Sequence, residues 1–219
     1  MNELGHGSQL AFDGGMPYTV ESVVRSRTNG PLIAAAAALW IKEDDRVLDV
    51  TYGRGLFWTL YRPEHFTTHD LAIDGVDFRD LPEDDCSFDV VVFDPPYVSR
   101  GGLRTSTITS YIDRYGLDSI DGPDAVSGSL DNLIDLIEGG MGEAYRVLAP
   151  KGRLLVKCMD FVAGGGYQSM RHRVVDYAFG LDLKQVDEFV HHSGIGPQPS
   201  GRTQRTSRRA HSFLCVFQK

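Results

Sequence analysis

Arg46-Val-Leu-Asp-Val-Thr-Tyr-Gly-Arg-Gly55 runs from a short apolar strand into a glycine turn, and Leu56 to Tyr61 behind it reads as a helix. A strand that exits through glycines into a helix is the opening unit of an open α/β sheet, whose ligands sit at the carboxyl ends of its strands. The units that follow keep the alternation. Thr67 to Asp70 is a second short strand, and the continuous apolar run Phe88 to Phe93 is a buried one. Ser129 to Leu148 carries a helical stripe (Leu133, Ile134, Ile137, Met141, Tyr145, Leu148), interrupted by Gly139-Gly140. Arg153 to Met159 is a strand and Tyr167 to Phe179 a helix, and Leu183 to His191 and His211 to Phe217 are the last two strands. Alternation of this kind predicts a parallel sheet covered on both faces. The last two strands have no helical pattern between them, so the final one is expected to run antiparallel.

The bulk composition fits one buried core. The chain has 219 residues, 42% hydrophobic and 24% charged, enough for a single domain. Its apolar run Pro31 to Ile41 is too short to span a bilayer and reads as a core helix, with proline in the first turn where its missing N–H costs nothing. Residues 1–15 lack a basic-then-apolar leader, and Cys86, Cys158 and Cys215 are widely spaced. Reduced thiols in a cytoplasmic protein, with no membrane attachment, are the expectation. His191-His192 has no third ligand nearby in sequence, so no metal is expected. The net charge of −8 conceals a basic end: from Phe189 onward there is no acid, but Arg202, Arg205, Arg208, Arg209 and Lys219 are present.

Two motifs carry chemistry. The glycine turn holds Asp49 at the strand end; that acid would repel a pyrophosphate but suits a cationic or amine-bearing ligand. A dinucleotide fingerprint would also need a third glycine where Trp58 stands. The second motif, Asp94-Pro-Pro-Tyr97, closes the buried strand that starts at Phe88. Proline at 95 holds Asp94 extended, and Pro95-Pro96 stiffens the exit. A carboxylate and the Pro95 carbonyl are thereby offered as fixed acceptors beside an aromatic ring, which suits a planar amino group with two N–H bonds to give. A plain strand-ending turn is the bland alternative.

Together, Val47-Leu-Asp-Val-Thr-Tyr-Gly-Arg-Gly55 and Asp94-Pro-Pro-Tyr97 resemble the class I S-adenosylmethionine-dependent amino-methyltransferases that modify adenine or cytosine in nucleic acid. Asp77-Phe-Arg-Asp-Leu-Pro82 and Leu148-Ala-Pro-Lys-Gly-Arg-Leu-Leu-Val156 resemble further segments of that family. The resemblance implies a Rossmann-like fold with a mostly parallel seven-stranded sheet, an antiparallel last strand and helices on both faces. It implies S-adenosylmethionine as cofactor, held by Asp49, Thr51, Tyr52, Gly53 and Gly55, with Asp70 at the ribose and Asp77 and Phe78 at the adenine. Asp94, Pro95, Pro96 and Tyr97 would form the catalytic tetrad, Tyr97 also stacking on the target base. No metal or covalent intermediate is required.

The chain departs from the family pattern in two ways. Six residues separate Asp70 from Asp77, too few for a parallel crossover, so one strand is expected as a stub and Asp74 competes with Asp70 for the ribose. No target-recognition domain is visible either: 13 residues separate Asp80 from Asp94. The expected organisation is a loosely ordered segment 1–25 and one methyltransferase domain, 26–219, with substrate loops at 99–124 and 193–210. Arg100, Arg104, Arg202, Arg205 and Arg208 would contact phosphates there. The leading expectation is an adenine-N6 methyltransferase of DNA. RNA, cytosine N4, or a non-catalytic subunit supporting an active partner remain as alternatives, and a homodimer or partner subunit could supply the missing recognition surface.

Overall fold

The computed structural model describes residues 23–96, 125–163, 166–193, 207 and 209–219. The described chain forms β1 (Val24–Arg25), α1 (Gly30–Trp40), β2 (Arg46–Asp49), a 3-10 turn (Leu56–Thr59), β3 (His65–Thr68) and β4 (Phe88–Phe93). These are followed by α2 (Ala125–Val147), β5 (Leu148–Cys158), a small hairpin of β6 (Phe161–Ala163) and β7 (Gly166–Gln168), α3 (Met170–Gly180), β8 (Lys184–His192) and β9 (His211–Gln218).

Seven strands make one sheet in the order β1-β8-β9-β5-β4-β2-β3. Every neighbouring pair is parallel except β5–β9 and β8–β9, so β9 alone runs against the rest. This is a Rossmann-like α/β arrangement, a mostly parallel sheet with helices on both faces and the antiparallel final strand expected from a sequence without a helical pattern before it. One expectation is corrected. No stub strand forms between β3 and β4, where the chain turns tightly instead: the Ile73 and Asp74 N–H groups donate to the Asp70 carbonyl at 2.9 and 3.0 Å. The seventh strand is Val24–Arg25 at the opposite edge, where Val24 pairs with His191 and Arg25 with His192.

The two faces of the sheet sort the sequence with period two. Leu48, Val91, Phe93, Leu154, Val156, Cys215 and Phe217 face one way and pack against Ile137, Met141, Ala144, Val174 and Ala178 of α2 and α3. Val47, Val90, Val92, Leu155, Leu214 and Val216 face the other way, against Leu32, Ile33 and Ala36 of α1 and against Phe57 and Trp58. The Gly139-Gly140 pair does not break α2, because the helix needs a bare position there. A Cβ on Gly140 would fall 2.5 Å from Phe93 Cζ and 2.7 Å from Phe78 Cδ2, so α2 comes this close to the sheet only as glycine. Gly140→Ala is therefore expected to destabilise the fold by about 1–3 kcal/mol through overpacking. Urea unfolding checks it, with Gly139→Ala as control, since a Cβ at 139 meets only the Arg79 side chain at an ordinary 3.5 Å.

Candidate active site

The carboxyl ends of β2, β4 and β5 lie side by side, and strand register decides which residues meet there. Asp49 pairs with Val92, and Phe93 pairs with Val156. One residue further on, the chain sets Asp94 beside Lys157. Asp49 continues the α1-side alternation of Val47, as Lys157 continues that of Leu155, so an acid and a base enter the same apolar layer.

The glycine turn begins where β2 stops. Tyr52 N–H donates to the His69 carbonyl at 3.0 Å, and Gly55 N–H donates to the Tyr52 carbonyl at 2.9 Å. Gly53 and Gly55 have φ of +53° and +67°, conformations that cost a side-chain-bearing residue energy. Tyr52 lies across Gly55, where an added Cβ would sit 2.6 Å from its Oη, and its ring meets Phe66 edge-on at 6.0 Å. A short 3-10 turn follows in place of the expected helix. It brings Trp58 under the loop, with its ring 4.6 Å from Phe66.

Asp49 is only 3% exposed, and both of its oxygens are engaged. Trp58 Nε1 donates to Oδ2 at 2.6 Å, and Thr51 N–H donates to Oδ1 at 2.8 Å. Burial pushes its carboxyl from the ordinary 3.8 up to about 7, against those stabilising bonds and with the charge of Asp94 adding to the rise. Thr51 ties this acid to the next one: its hydroxyl donates to Asp49 Oδ1 at 3.4 Å and accepts the Asp94 N–H at 2.8 Å. Lys157, 2% exposed, places Nζ 3.4 Å from Asp94 Oδ1 and 5.4 Å from the centre of the Phe57 ring. Burial drives the Asp94 carboxyl upward, and the Lys157 ammonium works against that rise. Pro95 is buried and Pro96 half-buried behind it.

The turn after β3 separates the two candidate ribose acids. Asp70 Oδ2 accepts the Gly53 N–H at 3.0 Å and so lies against the glycine turn. Asp74 accepts the N–H groups of Asp70 and Val76, each at 3.1 Å, and pairs with His69 Nδ1 at 2.8 Å. The other His69 nitrogen meets Glu83 at 2.6 Å. Burial opposes protonation of His69, but the two carboxylates outweigh it and raise its pKa. Asp74 thus holds the turn, and Asp70, whose Oδ1 also accepts the Ala72 N–H at 2.9 Å, is the acid that lies against the loop.

Asp77 chelates its neighbour Arg79, taking Nε at 3.0 Å and Nη2 at 2.5 Å. Burial opposes its ionisation, yet the guanidinium prevails and holds the carboxyl below its ordinary range. The Phe78 side chain lies beneath this turn. It is 2% exposed and packs against Phe93 at 5.0 Å between ring centres, so it belongs to the core.

Tyr97, Arg100, Arg104, Arg202, Arg205 and Arg208 lie outside the described residues, as do the loops that carry them apart from Ser193, Ser207, Arg209 and Ala210. His191 and His192 point to opposite faces of β8; His191 Nε2 donates to the Ser26 carbonyl at 3.0 Å. Among the described residues no group of three or more His, Cys, Asp or Glu is placed to hold a metal ion, and no helix is long and apolar enough to cross a membrane. Cys158 and Cys215 are buried, whereas Cys86 is exposed.

Sequence reasoning missed two site residues. Lys157 was legible as a lone cation inside the apolar run Leu154-Leu-Val-Lys-Cys158. Trp58 reads as an obstruction to a dinucleotide but serves as the donor that fixes Asp49. Trp58→Phe is expected to cost about 1–3 kcal/mol, the penalty of leaving a buried carboxylate oxygen unpaired. Thermal and urea unfolding measure it.

No family model matches the chain, and no curated protein matches it by sequence. Solved structures do resemble it. A candidate DNA modification methylase of Thermus thermophilus, complexed with S-adenosyl-L-methionine, is 19% identical with a TM-score of 0.41, covering 65% of this chain and 51% of its own. The chain thus spans about half the length of that protein. A candidate rRNA methylase of Clostridium thermocellum is 15% identical with a TM-score of 0.46, covering 92% of this chain and all of its own (100%). The 1,6-didemethyltoxoflavin-N1-methyltransferase of Burkholderia thailandensis, solved with its substrate and S-adenosylhomocysteine, is 13% identical with a TM-score of 0.46, covering 86% and 76%.

Proposed function

We propose that this protein transfers a methyl group from S-adenosylmethionine to the exocyclic amino group of a nucleic-acid base, adenine N6 in DNA. The observation that carries the proposal is the Asp94 carboxylate at the end of β4, tied by the Thr51 hydroxyl to the glycine turn that would hold the cofactor. The residues there suit such a cofactor. Gly53 and Gly55 leave the backbone bare, Asp49 matches a cationic amine and Asp70 matches a pair of hydroxyls. Asp77 and the backbone of Phe78 are assigned to the adenine end.

When bound, S-adenosylmethionine supplies an electrophilic methyl group. The chain's own part is positioning. Asp94 and the Pro95 carbonyl accept the two hydrogens of the target amino group, which frees the nitrogen lone pair for in-line attack, while Tyr97 stacks on the base. Duplex DNA would present that base only after it leaves the stack. The arginines at 100, 104, 202, 205 and 208 are assigned to phosphates.

The shifted acid gives a pH signature. A cationic amine binds the ionised form of Asp49, so affinity for S-adenosylhomocysteine is expected to fall by up to about tenfold per pH unit below about 7. Calorimetric titration between pH 5.5 and pH 8.5 tests this, the range being set roughly one and a half units either side of that value. Folding itself has the opposite sign. With its folded pKa raised, Asp49 contributes fully to stability below 3.8 and loses that contribution as the pH rises through about 7. The proposed partner is tested by transfer of tritiated methyl groups to matched DNA and RNA pools. Label in DNA is expected; label only in RNA would keep the chemistry and overturn the partner.

A further inference from the structure

We propose that Lys157 is a positioning residue of the methyl-acceptor site: it occupies one oxygen of Asp94 and keeps that carboxylate charged, leaving the second oxygen to receive the target amino group. This deepens the amino-methyltransferase reading and rests on it.

Three observations support the assignment. Lys157 is 2% exposed in the middle of the sheet, a place where an ammonium persists only beside a counter-charge. Its Nζ lies 3.4 Å from Asp94 Oδ1, whereas among the described residues no side chain donates to Oδ2. The ion pair with Asp94 sits among other charged and polar groups. Asp94 is faced by Asp49 from the end of β2, by the Thr51 hydroxyl and by Lys157 from β5. Lys157 is faced in turn by the Phe57 ring and by His191 of β8. Burial, and then the nearby Lys157 charge, keep His191 neutral, and its Nε2 hydrogen is given to the Ser26 carbonyl. Asp49 is held by Thr51 and Trp58. The geometry pairs this buried cation with the acid at the strand end of β4.

A carboxylate that must accept an amino hydrogen is useless once protonated. Without Lys157, Asp94 would be a half-buried acid beside a second acid, and it would take up a proton at a higher pH. The ammonium also takes up part of Oδ1, which leaves Oδ2 as the freer acceptor for a planar amino group. The arrangement selects a neutral amine: a cationic one would compete with Lys157 for the same charge.

The test follows Asp94 directly. The protein is labelled with 13C at aspartate carboxyls, the Asp94 resonance is assigned through Asp94→Asn, and the resonance is titrated in the unaltered chain, Lys157→Met and Lys157→Arg. The proposal expects the Asp94 midpoint to rise by about one pH unit or more in Lys157→Met and to stay near its original value in Lys157→Arg. With DNA as acceptor, the acid limb of kcat/KM should rise with it: Lys157→Met loses about tenfold or more at pH 6, with the deficit shrinking toward pH 9 and KM for the cofactor little changed. Should Lys157→Met fail to fold, Lys157→Gln takes its place. An Asp94 midpoint that stays where it was without the ammonium would overturn the inference. Absence of any methyl transfer, alongside a shifted midpoint, would instead sink the transferase reading and leave the Lys157–Asp94 coupling standing.

Discussion

Asp94→Ala is expected to reduce methyl transfer by about 10²–10³-fold or more while leaving affinity for S-adenosylhomocysteine nearly unchanged. The amino group would lose its main acceptor, whereas the glycine turn and Asp70 would keep their geometry. The variant has a second consequence that must be separated from the first. It strands Lys157, whose side chain is 2% exposed, without its counter-charge. Leaving one partner of a buried pair uncompensated costs about 3–5 kcal/mol. The double variant Asp94→Ala/Lys157→Met removes both charges and should regain much of that stability without regaining transfer. Unfolding curves and single-turnover assays on the two variants distinguish a lost fold from a lost acceptor. Transfer that survives in either one would mean that another group holds the substrate.

Gly55→Ala is expected to have the largest effect on cofactor binding. The position has φ of +67°, and the new Cβ would lie 2.6 Å from Tyr52 Oη and 2.8 Å from Cζ. The left-handed conformation costs a residue with a Cβ about 1–2 kcal/mol, and the Tyr52 ring must also move off the turn. Because that turn is the proposed cradle of the cofactor, affinity should fall by more than about tenfold, the equivalent of 1.4 kcal/mol. Gly53→Ala is the milder comparison. It has a similar φ of +53°, but the nearest atoms to its Cβ are at an ordinary 3.8 Å. Equal losses in the two variants would show that φ alone matters and that the Tyr52 contact does not.

The sheet was readable because its strands carry strong patterns. Val90-Val-Val-Phe93 and Leu154-Leu-Val156 are continuous apolar runs whose alternate residues fill two cores, and the lack of a helical sequence pattern before β9 pointed to its direction. The edges were not readable. Val24–Arg25 pairs over two residues only, too few for periodicity to register, so the seventh strand was expected between β3 and β4 instead. The hairpin of β6 and β7 is only three residues a side, and its last two residues, Tyr167 and Gln168, fall in the stretch that reads as the start of α3. Gly140 read as a helix breaker because propensity is local, whereas its reason, the Phe93 and Phe78 rings, lies across the core. At the site, Asp49, Gly53, Gly55 and Asp94 were visible as motifs. The links among them were not, since Trp58, Thr51 and Lys157 act through contacts spanning 9, 43 and 63 residues.

The identity of the methylated nucleoside reports which atom the Asp94 site presents. DNA incubated with the protein and labelled S-adenosylmethionine is digested to nucleosides and resolved by mass spectrometry. Label as N6-methyl-2′-deoxyadenosine is the predicted result. Label on a ring nitrogen or a carbon, or no labelled nucleoside from DNA or RNA while the cofactor binds, would contradict an Asp94 site built to hold an exocyclic amino group.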